Sequence, residues 1–172
     1  MKILKNRLAL STVVTTLIIL VVSVLLAGVV TYFAINVVST RVQQESLQIS
    51  YAHVWVAGSG NSQAAILVKN TGGRDVVINA VQVRGIAGTF GTNVYTNAAS
   101  VNPPALADLT TITKTTAEPI TLASGGTVQI YIGDPTSVSI NDIGTTIGIT
   151  VFTTNAMYYQ ETNVQATTVA LP

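Results

Sequence analysis

The chain has 172 residues, 48% of them hydrophobic and only 9% charged, with a formal net charge of +1, one histidine and no cysteine. That balance lies far from the basic excess of a nucleic-acid binder, so no nucleic-acid partner is expected. Without a thiol there is no disulfide, thiolate nucleophile or cysteine metal site, and a lone histidine excludes any two-histidine metal motif.

Residues 8–40 carry no charged side chain and follow the cationic stretch MKILKNR. At 1.5 Å per residue they make a helix of roughly 50 Å, against roughly 30 Å for the apolar core of a bilayer. Arg41, Gln43, Gln44, Glu45 and Gln48 then interleave with Val42, Leu47 and Ile49. That pattern extends the predicted helix as an amphipathic stalk to residue 49. The apolar run is more than twice the roughly 7–15 residues of a secretory signal, so ordinary signal cleavage is not expected. Lys2, Lys5 and Arg7 precede the run, and Arg41 is the one basic residue near its far end. The positive-inside rule therefore leaves the first residues in the cytoplasm and everything after residue 40 outside.

Thr12, Thr16, Ser23, Ala27, Thr31 and Ala34 recur at helical spacing and share one arc of roughly 100°. Small and hydroxylated side chains let helix backbones approach closely, which reads as a face packed on other helices. A solitary anchor whose hydroxyls bond their own helix carbonyls gives the same stripe, and the sequence does not separate the two.

Beyond residue 49 the period changes to two. Tyr51, His53 and Trp55 alternate with Ala52, Val54 and Val56, predicting a first strand closed by a turn at 57–61. Further strands are predicted at 64–69 and 76–83, then weakly near 89–95 and 109–113 around a loop at 97–107. A hairpin-like unit at 119–132 and two last strands at 147–153 and 157–169 complete the series. Short strands at this spacing, without helical periodicity, argue an antiparallel β-sandwich over residues 50–172. The fold class expected is α+β, a long hydrophobic helix over 8–49 followed by that sandwich.

The leader, the small residue Ala9, Leu10-Ser11 and the run TVVTTLIILVVSVLLAGVV resemble the N-terminus of archaeal type IV pilins and the related archaellins. The resemblance implies that a prepilin peptidase removes the leader, residues 1–7, on the cytoplasmic side. It further implies that the helix leaves the membrane and packs with its copies in a filament core. Many archaeal pilins have Ser-Pro-Val or Ser-Pro-Ile where this chain has Ser11-Thr12-Val13. The processing residues are Arg7, Leu8, Ala9 and Leu10, with cleavage after Arg7 or after Ala9 both open, and retention of Met1 as the third outcome. Removing residues 1–7 with their three cations would turn the formal charge to −2. More loosely, LVKNTGG, ITLASGGTVQIYI and GITVFTTNAMYYQ resemble the immunoglobulin-like β-domain that such subunits carry.

Elsewhere the residues form no catalytic constellation. His53 reads as a sheet-face residue beside Tyr51 and Trp55, and the acids sit at turns and strand ends. Gly85, Gly88 and Gly91 do not open a helix after a strand, so they are not a phosphate cradle. No catalytic residue, cofactor or metal is expected. No Asn-x-Ser/Thr sequon occurs, which leaves O-linked sugar as the open modification.

The function expected is a structural subunit, a pilin, of an extracellular adhesive filament. Its partners would be its own copies through their helices, the prepilin peptidase and assembly machinery, and the membrane before assembly. The alternatives are a monomeric membrane-anchored surface protein or the archaellin of a swimming filament.

Overall fold

The structure is a computed structural model that describes residues 2–42, 44–97, 103–106, 108, 109, 112 and 119–169. Helix side chains are described from Leu10 to Thr40. The chain divides into two compact units, Met1–Val42 and Gln43–Pro172.

The first unit is one helix, α1 (Lys2–Val42). It contains no proline, and a Cβ added at its one glycine, Gly28, would meet nothing within 4 Å. Valine and threonine lower helix propensity in water, yet in an apolar medium the helix satisfies every backbone donor and acceptor within one segment. The stalk expected over 41–49 takes a different form. The helix ends at Val42 and the first strand, β1, spans Leu47–Ala57. Leu47 is buried, Gln48 exposed and Ile49 half-buried, a period-2 reading of residues that also fit a helix. Pairing of Leu47 with Asn70 and of Ile49 with Val68 decides the matter, because ladder bonds and core burial outweigh local propensity.

The second unit holds β1, β2 (Ser62–Asn70), β3 (Val76–Val83), β4 (Ile86–Ala87), β5 (Val94–Asn97), β6 (Ile120–Leu122), β7 (Thr127–Gly133), β8 (Thr146–Thr153) and β9 (Met157–Thr167). They form one curled sheet in the order β4-β3-β8-β9-β1-β2-β7-β5, with β6 also on β3. The expectation of an all-antiparallel domain is corrected at one place, since β1 and β9 pair in parallel from Val54↔Val164 to Ala57↔Thr167. Residues 157–163 of β9 pair with β8, and residues 164–167 pair with β1. A strand long enough to serve two partners lets the sheet curl without a second connection. The strand expected at 109–113 falls mostly outside the described residues. In place of a strand from residue 89, a turn precedes β5.

The concave core comes from alternate residues of the long strands, including Val54, Ile66, Val81, Ile130, Ile149 and Val164. Full burial stabilises such side chains by roughly 1.5–3 kcal/mol each, so this core needs no disulfide. β2 is buried on both faces: Ala65 joins Tyr131 and Leu109 in a second cluster, against which Trp55, Tyr95 and Ile112 pack. The β3–β4 turn has Arg84 at φ 49° and Gly85 at φ 83°. Two left-handed residues in a two-residue loop make the type I′ geometry that suits strand twist.

Candidate functional site

The surface most out of keeping with a soluble chain is α1 itself. Leu10–Thr40 is long and apolar enough to cross a membrane, and none of it is buried within the chain. The stripe residues Thr12, Thr16, Ser23, Ala27, Thr31 and Ala34 lie on this helix with exposed side chains, as does Leu10. Arg7, Leu8 and Ala9 are helical in backbone, with side chains outside those described. The Thr16 hydroxyl donates to the Val13 carbonyl at 2.9 Å, Ser23 to Ile19 at 2.5 Å and Thr31 to Ala27 at 2.7 Å. Thr15 and Thr40 bond Ser11 and Asn36 carbonyls in the same way. Hydroxyls satisfied within the helix cost little in hydrocarbon, and they leave small side chains flush with the surface.

A second feature is a clasp at the start of the β-unit. Ser46 accepts hydrogen bonds at its carbonyl from the amides of Thr71 and Gly72 at 2.9 and 3.0 Å. A Cβ on Gly72 would lie 2.6 Å from the Gln44 carbonyl oxygen and 2.8 Å from the Ser46 nitrogen. Glycine is required there by close backbone approach. The Glu45 carboxylate accepts hydrogen bonds from the Thr153 hydroxyl and, at 2.8 Å, from the Asn155 amide. Behind the clasp, the buried Asn70 side chain donates to the Arg74 and Leu122 carbonyls and accepts from the Gly72 amide. Sequence reading ended a strand at residue 69 and quoted LVKNTGG, but missed Asn70 as the keystone of the turn that follows and Glu45 as a fastener. The available signal was an asparagine followed by two glycines directly after an apolar strand.

Several other polar groups are engaged in structural contacts. His53 and Trp55 stack at 5.2 Å between centroids and 15° between planes. Asp142 accepts from the Ser139 amide at 2.8 Å and from Arg84 at 2.7 Å. These bonds, that to the Ser139 backbone first, hold the Asp142 carboxyl below the usual carboxylate range. Burial raises Tyr131. Tyr159 is also raised, chiefly by desolvation and then by Glu161 beside its hydroxyl. Its ring lies over Gly148, where a Cβ would come within 2.2 Å of it, so an aromatic covers a bare stretch of strand. Among the described residues no buried side-chain polar atom lacks a partner, and no group of three metal-ligating side chains occurs.

No protein-family model matches the chain, and no curated protein matches it. Among solved structures, the apo PmoF2 PCuAC domain aligns with a TM-score of 0.47 at 16% identity, over 74% of this chain and 98% of that one. An alkylpurine DNA glycosylase, AlkC, of Pseudomonas fluorescens, bound to DNA containing an abasic site analog, aligns with a TM-score of 0.32 at 11% identity. That alignment covers 70% of this chain and 30% of the glycosylase. Neither likeness is close enough to carry an argument. The layout of one N-terminal apolar helix followed by a β-sheet unit is compatible with a pilin-like subunit.

Proposed function

We propose that this chain is a structural subunit, a pilin, of an extracellular type IV pilus-like filament of archaeal kind, acting by assembly and without catalytic turnover. The observation that supports the reading is the 31-residue helix surface Leu10–Thr40, none of it covered by the rest of the chain. At 1.5 Å per residue it is roughly 46 Å of uncharged rod, longer than the roughly 30 Å a bilayer covers. A lone anchor gains nothing from that excess, whereas a core of packed helices buries apolar surface along the whole rod. Before assembly the same helix would sit in the membrane, with residues beyond it outside. The leader would be removed by a prepilin peptidase, because Lys2, Lys5 and Arg7 would each cost several kcal/mol unpaired in a dry core. The β-unit would be the exposed, adhesive, immunoglobulin-like domain in this reading, which the link that β9 makes between a β3–β8 group and a β1–β2–β7 group supports.

Cryo-electron microscopy of sheared filaments, with mass spectrometry of the subunit N-terminus, tests the proposal. Filaments built of this chain with helices at the centre and residues 1–7 absent are expected. Recovery of the chain only from membranes would overturn it. In the same assay Ala27→Trp should abolish filaments, since overpacking a close contact costs about 1–3 kcal/mol at every copy. The membrane-anchored monomer is the second reading, favoured by the hydroxyls of Thr16, Ser23 and Thr31 being satisfied within their own helix.

A further inference from the structure

The first and last strands of the β-unit lie side by side and run in the same direction. Tension between the segment that follows α1 and the end of β9 therefore draws β1 toward its N-terminal end and β9 toward its C-terminal end. The two pulls are opposed along the strand axis. β1 is 11 residues long, roughly 36 Å, and Thr167 pairs with Ala57 at its far end, so the line of force runs along β1. Ladder bonds lie across that line, and the four paired positions from Val54↔Val164 to Ala57↔Thr167 must yield together. Pulling the two strands of a hairpin apart from its open end breaks such bonds one at a time.

Three further contacts fit this arrangement. Val54, Val56 and Val164 are each no more than 2% exposed, so water does not compete for the ladder. The Thr162 hydroxyl donates to the Ala52 carbonyl at 2.7 Å, fastening the strands just ahead of the ladder. The Ser46 and Glu45 bonds hold the start of β1 in line, so that it cannot peel away sideways.

We infer that the β1–β9 pair is a shear clamp, which keeps the β-unit folded when it is pulled between its α1 end and the end of β9. That such tension arises on a surface filament rests on the proposed function; the clamp itself rests on strand direction alone.

The chain has no cysteine, so engineered pairs give unique handles. Gln44, Arg74 and Thr168 are exposed. Optical tweezers would pull the full chain, held in detergent, through Gln44→Cys with Thr168→Cys, and separately through Gln44→Cys with Arg74→Cys. The second pair grips the open end of the β1–β2 hairpin. The first geometry is expected to unfold at roughly twofold or higher force at one loading rate, because its evenly spaced, slanted ladder bonds are loaded together in shear. Thr162→Val should lower the force in the first geometry and leave the second unchanged. Equal or lower force in the first geometry would overturn the clamp while leaving filament assembly untouched. Failure of filaments in microscopy would remove the proposed function and leave the force asymmetry standing.

Discussion

The side-chain amide of Asn70 donates to the Leu122 carbonyl at 3.0 Å, tying the end of β2 to the end of β6 across 52 positions of sequence. The same side chain bonds Arg74 and Gly72, and the Asn70 backbone amide and carbonyl bond Gly126 and Gly125. Asn70→Ala should therefore take a donor from the Arg74 carbonyl and from the buried Leu122 carbonyl, and leave the Gly72 amide only its bond to Ser46, at a cost of about 1–3 kcal/mol. Urea unfolding of the full chain in detergent, followed by the fluorescence of its single tryptophan, checks this. A loss below about 0.5 kcal/mol, the range of ordinary surface changes, would show that the amide is not a fastener.

The clasp also fixes where the β-unit begins. A fragment starting at Gln44 should be a soluble, folded monomer. One starting at Ser50 lacks buried Leu47, the Ser46 carbonyl that takes two amides, and the Glu45 carboxylate that takes Thr153 and Asn155. It should be less stable by about 3–5 kcal/mol. Thermal melts of the two fragments, with size-exclusion chromatography, measure the difference.

Tyr51 sits at the bulge in β1, between the Ser50 and His53 registers, with φ at 52°. A left-handed conformation costs a side-chain-bearing residue about 1–2 kcal/mol, while glycine loses about 0.5–1 kcal/mol of chain entropy. Tyr51→Gly should then raise stability by about 0.5–1 kcal/mol, read from the urea midpoint at unchanged slope. Destabilisation would mean that the exposed ring makes contacts worth more than the strain.

Much of this was legible and some was not, for reasons visible in single residues. Val76 to Val83 was legible as a strand, although burial passes from Val76 and Ile78 to Val81 and Val83 across a register shift between Ile78 and Ala80 that the sequence pattern does not announce. Leu47 and Ile49 fit both helix and strand periods, and only their partners Asn70 and Val68 decide between them. The parallel β1–β9 pair was invisible because alternation records which face a residue takes and carries nothing about neighbour or direction. Tyr51, His53 and Trp55 were read as one regular row, which the bulge at Tyr51 breaks. On α1 the stripe was legible, while the return of Thr16, Ser23 and Thr31 hydroxyls to their own carbonyls depends on rotamers that spacing does not specify.

Asp142 supplies a pH dependence with a definite sign. Bonds from Ser139 and Arg84 favour its charged form, so its folded-state pKa lies below the unfolded value of about 3.9. The stabilisation is fully present above that unfolded value and is lost as pH falls through the lower folded one. Asp142→Asn should flatten this part of the acid limb between about pH 4 and pH 2, with no such effect at neutral pH. Urea midpoints measured across that interval for both proteins test the sign; an unchanged acid limb would reject it.

Strand β9 meets β1 across some 110 positions, as the Thr162 bond to Ala52 marks. A chain made at about 5–20 residues per second leaves β1 waiting roughly 5–20 s for that partner. During this interval the far edge of β1 is an open template for any other strand nearby. Folding of the β-unit is thus a matter of timing: the newborn β1 must be sheltered, or kept dilute, until the last strand arrives.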